Sequence, residues 1–310
     1  MTKVQSWLYA FRLRTLPLAF SSIITGSSIA FVDNRSNFNW LVFVLCLATT
    51  LLLQILSNLA NDYGDSEKGT DNDERIGPKR AVQQGLLSFT EIKRGIAVAV
   101  VLSLVFGSAL VAEATKGLDI GYGIFFFILG LAAIAAAIKY TVGKGAYGYM
   151  GLGDVFVLLF FGIVGVCGSY YLMAHRFNYS VLLPAFTIGA FASGVLNLNN
   201  LRDRESDAKA GKNSLVVKIG TANAKKYHTG LIVLGFVASI VFVFLNYTST
   251  PQFPFQFLFI ITVPLFRRHL ITVRKIENPA DFDPHLKQMA ISTFIFSILF
   301  AVGIIVGSAG

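Results

Sequence analysis

The sequence predicts an all-α, polytopic membrane protein built as a bundle of nine transmembrane helices. Three observations carry that prediction. The 310-residue chain is 54% hydrophobic and only 14% charged, with a mean hydropathy of +0.63, outside the range of soluble globular domains. Its charges are confined between long charge-free spans at 15–32, 36–61, 95–112, 120–138, 155–174, 177–201, 229–266 and 288–310. Finally, if the loops alternate sides, 23 of the 26 Lys and Arg fall on one side and only Arg35, Lys116 and Arg176 on the other. That is the positive-inside pattern, so the N-terminus is expected in the cytoplasm and the C-terminus outside, in the cytoplasmic (inner) membrane. The net charge of +9 then reports topology and not a nucleic-acid partner.

Taken in order, Trp7, Tyr9, Arg12 and Arg14 form an interfacial segment that leads through TLP into the first span. A cleaved signal peptide would share this pattern, yet the span is long enough to stay as a membrane helix. Trp40 opens the second span at the outer interface, where aromatic side chains favour the headgroup region. The long loop that follows ends in Ser88-Phe-Thr-Glu91, the spacing of a capping box, which introduces the third helix. A short TKGLD turn separates the third and fourth. After the fourth comes KYTVGKGAYGYMGLGD (139–154), unusually rich in Gly and Tyr for a connector.

Helices five and six follow, joined around His175 and Arg176. The span 229–266 is broken by NYTSTPQFP (246–254), whose prolines stop a helix and whose polar groups call for water. It therefore supplies two helices, the second short and carrying Pro264. The last three helices hold little ionisable chemistry in their spans and are expected to complete the bundle. Cys46 and Cys167 lie inside apolar spans and read as small packing residues. No low-complexity tract or separate soluble domain interrupts residues 1–310, which read as one membrane domain.

The candidate chemistry lies at two helix ends. NLANDYGDSEKGTD (58–71) closes the second span, and NLNNLRDRESD (197–207) closes the sixth. Each places an Asn four residues before an Asp, Asn61 with Asp65 and Asn199 with Asp203, at an offset of 138 residues. Both helices descend in the same direction, as in a parallel repeat. Residues four apart share a helix face, so Asn61 and Asp65 project together, as do Asn199, Asp203 and Asp207. Asp62 and Asp71 extend the first acidic set. Oxygen donors of this kind suit Mg²⁺, which uses one or two carboxylates and binds substrate phosphates.

Arg75, Lys79 and Arg80 follow the first segment, Lys212 and Lys218 the second, and Lys139 and Lys144 lie in the Gly/Tyr loop. Cations beside Mg²⁺ are what a diphosphate leaving group needs as negative charge develops. A polar head site opening into an apolar bundle calls for an amphiphile, a diphosphate with a long hydrocarbon tail. Tyr140, Tyr147 and Tyr149 offer π-faces to a transient carbocation. For Asp154 two readings stand. It is a helix-N-terminal charge favoured by the dipole, or a carboxylate that orients an aromatic acceptor or takes its proton.

At these residues the chain resembles the UbiA superfamily of intramembrane aromatic prenyltransferases. NDYGDSEKGTD (61–71) is similar to that family's first Asp-rich motif and RDRESDAKAGKNSL (202–215) to its second. The likeness spans the chain, including RLRTLPLAF near its start. It implies a Mg²⁺-dependent transfer of a polyprenyl group from its diphosphate to an aromatic acceptor. By position, Asn61, Asp65, Asp203 and Asp207 would hold Mg²⁺–diphosphate, with Arg80, Lys144 and Lys212 on the phosphates.

One departure is that Gly69 stands where many members have the last Asp of the first motif, with Asp71 two residues later. This variant, with YTVGKGAYGYMGLGD and NNLRD, most resembles the menaquinone branch, whose members prenylate 1,4-dihydroxy-2-naphthoate with loss of CO₂. Another aromatic acceptor, such as 4-hydroxybenzoate, is the competing expectation. A cation-coupled transporter would place carboxylates near the bilayer midplane, whereas here they crowd one surface. The D-x-x-D-G-x-x-A-R pattern of CDP-alcohol phosphotransferases does not occur.

Overall fold

The structure is a computed structural model that describes residues 1–70, 76–250, 252 and 254–309. Among the described residues, nine helices are long and apolar enough to cross a membrane, as expected. A short helix α1 (Lys3–Phe11) precedes α2 (Leu16–Asp33), α3 (Trp40–Glu67), α4 (Phe89–Ala114) and α5 (Ile120–Lys139). The fifth crossing joins α6 (Gly153–Val157) to α7 (Gly168–Ala174) through a π-helical stretch, Leu158–Cys167. Next come α8 (Leu182–Lys209) and α9 (Leu215–Tyr247). A 3₁₀ segment, Phe255–Thr262, runs into α10 (Val263–Lys275), and α11 (Asp283–Gly307) ends the bundle. Pro264 sits in the first turn of α10, where its missing N–H costs nothing.

Helix α8 is the axis of the molecule, packed on α9, α11 and the π-helical stretch. Its buried face runs from Pro184 to Asp207. By contrast, α5 turns Ile120, Ile124, Phe125 and Ile128 outward, a lipid-facing surface in a protein of this kind. Both α3 and α8 have 28 residues, about 42 Å at 1.5 Å per residue. The hydrocarbon core is about 30 Å thick, so each helix overshoots it by roughly two turns. Those extra turns carry the two acidic segments, at the same end of the bundle.

The π-helical stretch approaches its neighbours through glycines. A Cβ on Gly162 would lie 2.5 Å from the Ala185 carbonyl oxygen, and one on Gly26 of α2 2.2 Å from that of Val166. Backbone cannot step aside as a flexible side chain can. Gly26→Ala is therefore expected to destabilise the bundle by about 1–3 kcal/mol, seen as a lower thermal midpoint in detergent. An unchanged midpoint would contradict this contact.

Helix α1 lies beneath the segment that follows the first acidic helix end. Trp7 packs on Gly95 of α4, Tyr9 Oη donates to the Lys79 carbonyl at 2.5 Å, and Gln84 Nε2 donates to Tyr9 Oη at 2.9 Å. The chain then turns through Arg12 in the left-handed region (φ 50°). Asn58 Nδ2 satisfies the turn by donating to the Phe11 carbonyl at 3.0 Å and to Thr15 Oγ1 at 3.1 Å. The Ser88–Glu91 capping box forms as expected. His228, which the sequence leaves without a role, is buried and paired Nε2 to Nε2 with His269 at 2.9 Å, tying α9 to α10.

Candidate active site

The two acidic helix ends face a common cavity of about 550 Å³. Asn61 and Asp65 line it from α3, and Asn199, Asp203 and Asp207 from α8, with Arg80, Tyr140 and Lys212 of the predicted binding set. Away from this end the wall is apolar, with Leu53, Leu104, Phe126, Phe160 and Val164 among its residues. One chamber thus joins a charged head to a hydrocarbon-like interior.

The Gly/Tyr loop explains itself here, because it bridges the two segments. A Cβ on Gly64 would lie 2.7 Å from Thr141 Oγ1, so the loop seats directly on α3. Thr141 Oγ1 donates to Ala60 O at 3.0 Å and to Asn61 Oδ1 at 3.3 Å. On the other side Asn213 N donates to Tyr149 O at 3.0 Å, and Lys218 Nζ to Met150 O at 2.7 Å. Between them Tyr149 Oη donates to Asp65 Oδ1 at 2.8 Å and pairs with Thr70 Oγ1 at 2.6 Å. Burial, and after it the Asp65 carboxylate, raises the Tyr149 phenol above its ordinary range, so it stays a donor. Burial likewise pushes Tyr140 up to about 12.

Cations of the chain itself hold the carboxylates. Arg80 Nη2 stands 4.0 Å from Asp65 Oδ2, and Lys212 Nζ 3.4 Å from Asp207 Oδ1. The turn after α8 places that lysine, since Gly211 adopts φ 73° and Lys212 N returns to Asp207 O at 2.8 Å. Burial alone would lower the Lys212 ammonium, but the Asp65 and Asp207 carboxylates outweigh it and hold the group above its ordinary value. Arg202, 1% exposed, grips Asp203 with Nε to Oδ1 at 2.8 Å and Nη2 to Oδ2 at 2.6 Å. Six cationic and four anionic side chains line the chamber, a surplus that favours an anionic guest.

Among the described residues no group of three or more His, Cys, Asp or Glu gathers closely enough to hold a metal ion. The donor set is nonetheless oxygen-only, and Asp207 Oδ2 is buried without a hydrogen-bond partner. A hard dication fits that chemistry, with Asn61, Asp65, Asn199, Asp203 and Asp207 as the candidates that could hold it.

Several predicted residues do not reach the chamber wall. Asp62 is buried and turned away, accepting from Ala81 N at 3.2 Å. Asp154 stands at the start of α6 and accepts from Tyr227 Oη at 3.2 Å. Lys139 is not on the wall, and Lys144 lines a separate, open pocket with Glu67, Lys68 and Tyr149. Asp71 and Arg75 lie outside the described residues. Sequence reasoning gave no site role to Arg12, Arg14, Arg202, Asp283 or Lys287, all of which line the chamber. Asp283 and Lys287 stand in the opening turns of α11, just before its charge-free span at 288–310. RLRT and RD were legible as motif text, but nothing in the sequence placed α11 beside α8.

Comparison with known proteins agrees with this geometry. The model of the UbiA prenyltransferase family matches residues 19–283. The 1,4-dihydroxy-2-naphthoate octaprenyltransferase of Haemophilus influenzae is 45% identical over 306 residues, spanning 98% of this chain and 97% of the relative. The Escherichia coli protein of the same name is 43% identical, spanning 98% and 96%. Among solved structures, a UbiA homolog from Aeropyrum pernix K1 superposes with a TM-score of 0.65 at 15% identity, covering 96% of this chain and 98% of that one. One from Archaeoglobus fulgidus, bound to DMAPP and Mg²⁺, gives 0.62 at 18%, covering 96% and 99%. Those two likenesses speak to the fold, and the sequence matches speak to descent. Matched along its length by the family model and by these relatives, the chain belongs to the UbiA prenyltransferase family.

Proposed function

We propose that this protein transfers a polyprenyl group from polyprenyl diphosphate to 1,4-dihydroxy-2-naphthoate with loss of the acceptor's carboxylate, a step of menaquinone biosynthesis. The observation that carries the reading is near-full-length identity of 45% and 43% to two proteins named for that reaction. The chamber supports it, since its cationic rim suits a diphosphate and its apolar wall a prenyl tail.

Lys212 and Arg80 bind the phosphates and neutralise charge as the C–O bond to the allylic carbon breaks. Asn61, Asp65, Asn199, Asp203 and Asp207 would hold Mg²⁺, which supplies Lewis-acid stabilisation of the departing diphosphate. Tyr140, Tyr147 and Phe156 turn aromatic rings to the chamber, Tyr147 stacked on Phe156 at 3.9 Å between centroids. Such faces stabilise an allylic cation without adding a nucleophile. The carboxylate-bearing ring carbon of the naphthoate then forms the new C–C bond. The bond to its carboxylate breaks, CO₂ leaves, and that electron pair restores the aromatic ring. The product is demethylmenaquinol, the reduced form of demethylmenaquinone.

The positive-inside charge pattern supports a cytoplasmic acidic end and N-terminus, with the C-terminus outside, in the cytoplasmic membrane. A water-soluble naphthoate meets the site from that side. Incubating the purified protein with Mg²⁺, a polyprenyl diphosphate and a panel of aromatic acceptors, followed by mass spectrometry, tests the reading. The expected product carries one prenyl chain and lacks the carboxylate. A product that retains it, such as a prenylated 4-hydroxybenzoate, would overturn the assignment of acceptor.

A further inference from the structure

Arg202 covers oxygens that the proposed Mg²⁺–diphosphate complex would need. Its Nε and Nη2 occupy both carboxylate oxygens of Asp203, and the same Nη2 donates to Asn199 Oδ1 at 2.8 Å. Each oxygen keeps a second lone pair, but a guanidinium does not lose its proton in a protein, so its charge opposes a dication at these oxygens until the side chain turns away. Moving a buried cation from its carboxylate is costly unless another carboxylate receives it. One is already in contact, because Arg202 Nη1 donates to Asp283 Oδ1. Asp283 comes from α11, lines the same chamber and keeps its side chain 34% exposed. Gly77 closes the arrangement from the loop side, where a Cβ would lie 2.5 Å from Arg202 Nη2.

We propose that Asp283 is a positioning residue for prenyl transfer, the carboxylate that retains Arg202 when Asp203 and Asn199 turn to the dication and diphosphate. Arg202 gives up one of its two anionic partners and keeps the other, so its charge stays compensated from α11 when α8 lets go. No covalent step is involved. Removing the Asp283 charge leaves Asp203 as the carboxylate held by Arg202, and the dication must then compete harder for it. The proposal rests on the diphosphate reading of the chamber.

The test is a calorimetric titration of the full-length protein in detergent with Mg²⁺, at a fixed concentration of an unreactive prenyl thiolodiphosphate. No acceptor is present, so turnover plays no part in the readout. Asp283→Asn is expected to raise half-saturating Mg²⁺ about tenfold, within the usual span of coupling between sites, while Asp283→Glu restores it. A merely structural role would lower the thermal midpoint and leave the Mg²⁺ dependence where it was, and that result overturns the proposal. The double variant Arg202→Gln/Asp283→Asn carries the test if the single variant does not accumulate. With no arginine to retain, it binds Mg²⁺ at the parent's half-saturation or below, and a tenfold rise there also overturns the proposal. A parent protein showing no Mg²⁺-dependent binding of the analogue would overturn the diphosphate reading itself and this inference with it.

Discussion

Asp65→Asn is expected to lower prenyl transfer by about 1,000-fold, the upper range for removing one preorganised electrostatic group from an active site. The substitution keeps the shape and one oxygen, so it isolates the charge. Asp65 is 4% exposed and on the chamber wall, and its two oxygens face Tyr149 at 2.8 Å and Arg80 at 4.0 Å. It also helps hold Lys212 cationic. Losing it should therefore weaken both the dication site and the lysine beside it. The check is product formation in membranes matched for the amount of folded variant. Full activity there would remove Asp65 from the site.

Lys212→Met is expected to act on both turnover and folding. Methionine replaces the aliphatic stem but leaves Asp207 without the ammonium at 3.4 Å, in a position where the lysine is only 6% exposed. Taking one partner from a buried ion pair costs about 3–5 kcal/mol, because the remaining charge keeps its desolvation penalty. Turnover should fall about 100-fold with the lost phosphate contact. The two effects separate by ligand. Mg²⁺ with a prenyl diphosphate would supply positive charge beside Asp207, so the thermal midpoint should recover when both are added while activity stays low. A variant that unfolds at the parent's temperature without ligand would show that Lys212 carries no such load.

How far the sequence reached depended on whether the relevant interaction was local. Charge-free spans and Lys/Arg asymmetry describe how a helix meets lipid, which each segment decides for itself, so nine helices could be read directly. The Asn61–Asp65 and Asn199–Asp203 pairs were legible for a similar reason, since four residues on one helix share a face. Asp62 shows where that reasoning stops. It lies one residue from Asn61, about 100° around the helix, and so turns to Ala81 instead of the chamber. Arg202 and Asp283 are 81 residues apart, and no periodicity within either helix announces their meeting. The Gly/Tyr loop could be recognised as odd, but its role as a bridge depends on Gly64 and Gly151 letting it approach two helices at once.

The overshoot of α3 and α8 past the hydrocarbon layer has a thermodynamic consequence for the pathway. The carboxylates and cations stand just beyond the boundary between two solvents, with the apolar part of the chamber on its far side. A prenyl diphosphate can keep its head among the cations of the chamber and its tail in the oily part throughout, so a multiply charged head group never has to enter the hydrocarbon layer. The proposed chemistry then removes the diphosphate from one substrate and the carboxylate from the other. What remains has no ionised group at all, and its partition into lipid is governed by about 0.8 kcal/mol for every buried methylene. The enzyme is in this sense a phase-transfer catalyst, in which the loss of charge makes delivery to the membrane effectively one-way.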